Sequence, residues 1–349
     1  MALDAAKAAL LRDGTVIPAH PLALNAERRL DERRQRALTR YYVAAGAGGV
    51  AVGVHTTQFE IRKVGLLEPV LRLAAETADE AAGGRTFVKV AGVLGDRDQA
   101  LREAELAAAL GYDVALLSLK GLDHMSGAEL VRHAEAVSRV MPIMGFYLQT
   151  AVGGRRLSHA FWRDLAELPG LVGIKVAPFD RYATIDVVRA VAASSRADDV
   201  ALYTGNDDNI VVDLLTPFRV AVDGRVVEKR IVGGLLGQWA VWTRVAVELL
   251  EEVKRYRGQA SVPVELLTRA ARWTDANAAV FDAANRFHGV IAGVHEVLRR
   301  QGLMEGTWCL DPAEGLSPGQ AEEIDRVYRE HPDLTDDEFV RAHLSEWLS

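Results

Sequence analysis

The chain has 349 residues, of which 41 are Lys or Arg and 48 are Asp or Glu, giving a net charge of −7; 49% are hydrophobic, and there is one cysteine. That composition is globular. The excess of acid excludes a nucleic-acid surface built on clustered basic residues, and no stretch reaches the roughly 18 apolar residues of a membrane span. Cys309 has no partner for an internal disulfide, so a free, buried thiol in a reducing, cytoplasmic setting is expected.

The N-terminal "MALDAAKAALLRDG" mixes Asp4, Lys7, Arg12 and Asp13 into a short helical pattern and lacks the apolar core of a signal peptide. Short β-branched runs then alternate with helical patterns. The expected strands are "TVIPA" at 15–19, "GVAVGV" at 49–54, "FVKVAG" at 87–92, "VALLSL" at 114–119, "PIMGFY" at 142–147, "LVGIKV" at 171–176 and "VALYTG" at 200–205, with an eighth between 218 and 234. Leu130, Ala134, Val137 and Met141, and again Phe161, Leu165 and Leu168, repeat at helical spacing. Ser126 with Glu129 reads as a capping box.

Eight strand–helix alternations predict a (β/α)8 TIM barrel over residues 1–235. Asp223-Gly224, flanked by alternating apolar residues, predicts a hairpin beside the eighth strand. Beyond it, "AVWTRVAVELLEEVKRYRG", "ANAAVFDAANRFHGVIAGVHEVLRRQ" and "PGQAEEIDRVYREHP" read as helices, making 236–349 a C-terminal helical appendage. A last short helix would dock through Leu344 and Trp347.

In such a barrel the C-terminal ends of the strands face the active site. Lys175 closes the sixth strand among apolar neighbours, where loss of water favours its neutral, nucleophilic amine. Such an amine condenses with a ketone to an imine that withdraws electrons from the adjacent carbon. Tyr147 ends the fifth strand and offers a phenol to move protons. Thr56 and Thr57 follow the second strand as a turn that can hold a carboxylate. Gly205, Asn206 and Asp207 follow the seventh strand, and His20 and His55 fall at strand ends, where they can line a substrate pocket. Together these residues describe a 2-oxo acid lyase.

The pair "GFYLQTAVGG" and "GLVGIKVAP" resembles the dihydrodipicolinate synthase and N-acetylneuraminate lyase family, with Tyr147 and Lys175 at a family-like spacing of 28 residues. "YTGNDD" and the Thr-Thr turn resemble it further, over residues 12 to 330 or so. The resemblance implies a barrel, a covalent imine on Lys175 with Tyr147 as proton shuttle, no cofactor, and a homo-oligomer, either tetramer or dimer. Three departures stand out. Gln58 replaces a glycine after the threonines, Val152 falls where an arginine is usual, and "SLKGLDHMS" replaces a segment that lends a tyrosine across a subunit interface. These argue against lysine-biosynthetic synthase activity. A dehydratase of 2-oxo-3-deoxy sugar acids and a catalytically idle small-acid binder remain as alternatives.

Plainer roles stand beside these. A strand-end lysine can extend its stem to solvent, a tyrosine can be a core aromatic, and a Thr-Thr turn can merely end a strand. No metal is expected: His288 and His295 are seven apart on one helix, and Asp207 and Asp208 read as helix-capping carboxylates. The glycines of "AAGAGGVAV" precede a strand, which argues against a nucleotide loop.

Overall fold

The computed structural model describes residues 2–349. Its strands are β1 (Val16–Pro18), β2 (Gly49–Val52), β3 (Val88–Val93), β4 (Val114–Leu117), β5 (Ile143–Leu148), β6 (Leu171–Ala177), β7 (Ala201–Thr204), β8 (Phe218–Val222), β9 (Arg225–Lys229) and β10 (Ile231–Leu236). Eight of them run parallel in the order β1-β10-β7-β6-β5-β4-β3-β2. A bridge between Ala19 and Ala51, with the His20 N–H donating to the Ala51 carbonyl at 2.8 Å, joins the two ends. The fold is thus a (β/α)8 barrel with C-terminal helices.

Short side chains start the connecting helices. Asp31, Asp96, Ser158 and Asp180 each accept the N–H three residues on. Ser126 and Glu129 form the expected reciprocal box, the carboxylate accepting the Ser126 N–H at 2.7 Å. Because both faces of a parallel barrel strand are buried, the core splits into two layers. Ile17, Val90, Leu116, Met144 and Phe146 fill the barrel, while Val52, Val93, Tyr147, Ile174 and Val176 pack outward against helices. The N-terminal helix Ala5–Asp13 seals the lower end: Leu11 packs with the inner layer and its carbonyl accepts the Tyr203 hydroxyl at 3.0 Å.

The expected hairpin is β8–β9, turning through Asp223 and Gly224 with φ of +46° and +78°. It lies outside the barrel, and the eighth barrel strand is β10. Lys229 holds the hairpin down by donating to the Val200 carbonyl at 2.8 Å and to that of Ala197.

One helix assignment is corrected. Residues 276–301 are not one helix but the end of Glu265–Val280 and the whole of Val290–Arg300. Asp282, Arg286 and Phe287 between them take positive φ, and the Asp282 carboxylate accepts the Gly289 N–H at 2.9 Å. Those bonds favour a reversal that the apolar periodicity hides. The last helix, Asp337–Trp347, docks through Trp347, whose ring centroid lies 5.5 Å from that of Tyr41; Leu344 is only half-buried.

Candidate active site

A bulge in β6 decides where the lysine goes. Between Ile143↔Leu171 and Met144↔Gly173 the register advances one residue on β5 and two on β6. Val172 packs toward the barrel interior, so strict alternation would turn residue 175 outward. The extra residue, at a glycine, reverses that parity and carries the Lys175 stem inside.

There the side chain is buried, with Nζ 4.4 Å from the centroid of the Phe146 ring, its cross-strand partner. Gly205, at the end of β7, provides the space: a Cβ there would lie 2.6 Å from Lys175 Cε and 2.7 Å from Ala177 Cβ. Burial lowers the lysine pKa, and the charge of Asp207 acts in the opposite sense.

Lys175 opens on a chamber of about 40 Å³, space for about three water molecules. His55, Thr56, Phe146, Val152, Gly205 and Asp207 also line it. His55 is held neutral, its pKa pushed down to about 4 by burial and then by the charges of Lys120 and Lys175. The Thr56 hydroxyl donates to the Ala19 carbonyl at 2.8 Å. Phe179 separates this chamber from an outer cleft of about 390 Å³ that holds Arg156, Asp180 and Asp208. The rings of Phe179 and Phe287 meet edge to face, 5.7 Å apart, at that border, and both residues have positive φ.

Four of the expected site residues lie outside the lysine chamber, although one of them, Tyr147, lines the outer cleft. Tyr147 points to the outer side of β5, its ring 5.0 Å from that of Trp162 and its hydroxyl accepting the Leu157 N–H at 3.3 Å. Phe146 takes the inward position because it, not Tyr147, pairs with Lys175. The expected phenol is therefore absent from the lysine chamber. Thr57 is fully buried beneath the turn, accepting the Gly53 N–H at 3.0 Å and donating to the His20 carbonyl at 2.7 Å; it holds the turn in shape. His20 is a core residue, with Nε2 2.8 Å from the Thr39 hydroxyl and its pKa lowered to about 4 by burial. Asn206 binds backbone and core groups, accepting the Phe179 N–H at 3.0 Å and donating to Asp213 at 3.0 Å. It ties the β6 loop to β7.

The sequence departures also find their places. Gln58 has a positive φ of +64°, a conformation that suits the glycine expected there, and its side chain accepts the Leu310 N–H at 2.6 Å. Val152 does line the chamber, whereas Arg155 donates to the carbonyls of Leu122 and Met125, and Arg156 pairs with Asp180 at 2.8 Å. Cys309 is buried, its thiol pushed up to about 12. Among the described residues Asp275, Glu330 and His331 cluster as metal ligands could, but Arg326 pairs with both carboxylates.

Sequence reasoning set Asp207 at the barrel mouth but preferred to read it as a helix cap. It caps no helix: Asn209 precedes the helix Ile210–Leu215, and the Asp207 carboxylate turns into the chamber, accepting the Gln238 N–H at 2.8 Å. Its place straight after β7, at the mouth of the barrel, was the available signal.

An eight-stranded barrel with a buried lysine at its mouth defines a class of enzymes that work through imines. The chain belongs to the dihydrodipicolinate synthetase family, which matches residues 13–226, a family of lyases whose members use a lysine–pyruvate Schiff base and need no cofactor. Among solved structures, dihydrodipicolinate synthase from Oceanobacillus iheyensis is similar at 19% identity and a TM-score of 0.70, over 94% of this chain and 99% of that one. A prophage protein of the dihydrodipicolinic acid synthase family from E. coli K12, in complex with pyruvate, reaches 0.72 at 19% identity, covering 90% and 98%. N-acetylneuraminate lyase from Fusobacterium nucleatum reaches 0.71 at 16%, covering 93% and 100%. No curated protein matches the sequence. No helix among the described residues is long and apolar enough to cross a membrane.

Proposed function

We propose that this chain is a class I lyase that forms a covalent imine between Lys175 and a 2-oxo acid such as pyruvate. The observation that carries the reading is the inward, buried, partly neutral amine in a chamber at the mouth of the barrel. Attack of the amine on the carbonyl carbon and loss of water yield an iminium whose carbon–carbon or carbon–oxygen bond one atom further out is weakened. Phe146 and Val152 keep water scarce around it, and the His55–Thr56 side of the chamber is the candidate seat for the substrate carboxylate. A second molecule, or the departing fragment, would occupy the outer cleft, where Arg156 and Asp180 stand. The resemblance supports a homo-oligomer in a reducing compartment.

The outward Tyr147 favours one other reading, an idle barrel that binds a small acid without turning it over. Borohydride reduction in the presence of pyruvate separates the two. A lyase gains the mass of a reduced pyruvate adduct on the peptide containing Lys175. A panel of 2-oxo acids that leaves the protein mass unchanged supports the binder.

A further inference from the structure

Imine chemistry needs a group that gives a proton to the departing hydroxyl and takes one from the carbon next to the imine. Tyr147 is on the wrong side of β5 for that work. Of the chamber's polar residues, Thr56 has its hydroxyl proton engaged by the Ala19 carbonyl, and His55 is too weakly basic to carry a proton near neutral pH. Asp207 remains. The residue is 5% exposed and shares the chamber with Lys175, without a direct ion pair between them among the described residues. One oxygen, Oδ1, is fixed by the Gln238 N–H; Oδ2 accepts from no other side chain among the described residues, and the residue lines the chamber.

We propose that Asp207 is the proton carrier for the chemistry at Lys175, a proposal that rests on the imine reading above. The amine adds to the ketone carbon, the carbonyl electron pair moves to oxygen, and a proton shifts from nitrogen to that oxygen to give a neutral carbinolamine. Asp207, as the acid, protonates the hydroxyl; the carbon–oxygen bond breaks, water leaves, and the nitrogen lone pair forms the iminium. The Asp207 carboxylate then removes a proton from the neighbouring carbon, whose electron pair forms the enamine. The acid is regenerated and only water has been released.

Burial supports this cycle, because it raises the Asp207 pKa above the usual carboxylate range while lowering that of Lys175. Both effects narrow the gap between the ammonium–carboxylate pair and the uncharged pair of amine and carboxylic acid. The groups that act on Asp207 are Lys175 from β6, which lowers its pKa, and Asp208 beside it, which raises it. Arg181 and Asp213 act on Asp208, and His55 faces Lys175 from the turn after β2.

The test is Asp207→Asn, which keeps an oxygen for the Gln238 N–H, read by two measurements. In deuterium oxide, exchange of the pyruvate methyl protons is followed by NMR and is expected to fall about a hundredfold. Borohydride trapping on Lys175 is expected to persist but more slowly, because the acid that expels water is gone, and with its rate–pH profile displaced to lower pH because a negative charge that favoured the ammonium form is gone. Asp207→Glu, whose carboxyl can still reach the chamber, is expected to recover part of the exchange. In the unmutated enzyme, pyruvate is expected to shift an infrared carboxylic-acid band, a result independent of whether either variant folds. Wild-type exchange in Asp207→Asn, or no carboxylic-acid band responding to pyruvate, overturns the proposal. Failure of the wild type to form any adduct overturns the imine reading instead.

Discussion

Strands β5 and β6 lie side by side, both closed by a residue that can do chemistry, and they treat those residues in opposite ways. On β6 a bulge turns Lys175 into the barrel; on β5 regular alternation turns Tyr147 out, against Trp162. Being at the end of a barrel strand therefore does not place a side chain in the active site. Parity does, and parity here was altered by one residue on one of the two strands.

The contrast is easiest to break at the lysine. Lys175→Ala is expected to abolish borohydride trapping and reduce pyruvate exchange to background, measured by mass spectrometry and NMR. Gly205→Ala comes next: its new methyl meets the lysine stem at 2.6 Å, so the amine must move. A displacement of that kind is expected to slow trapping by about a hundredfold, and because the methyl also meets Ala177 Cβ at 2.7 Å the melting temperature is expected to fall too. Tyr147→Phe should do least at the active site, leaving exchange within about twofold of wild type. It removes the acceptor of the Leu157 N–H, however, and a loss of about 1 kcal/mol in urea unfolding is expected. A collapse of exchange in that variant would restore the phenol to the mechanism.

Much of the barrel was legible because β-branched runs and capped helices alternate as far as β7, and Lys175 stood out as a charge within an apolar strand. The orientation of β5 was not legible. "IMGFYL" is apolar on both sides, as a parallel strand buried on both faces must be, so no polar alternation told Phe146 from Tyr147. Gly173 marked the bulge in β6, but its effect on the lysine appears only once the pairing with β5 is known. Asp207 followed a familiar pattern of acidic residues before a helix, and the distinction between a cap and a chamber wall depends on a bond from Gln238, 31 residues away. The split between Val280 and Val290 escaped notice because non-glycine residues adopt the left-handed turns there.

The plug formed by Leu11 beneath the barrel has a kinetic consequence. With the floor closed, the lysine is reached from the upper end of the barrel, where the chamber borders the outer cleft at Phe179. For the proposed lyase, a chamber that lies beneath the outer cleft predicts ordered binding: the oxo acid enters first, its partner follows, and in the cleavage direction the outer fragment leaves first.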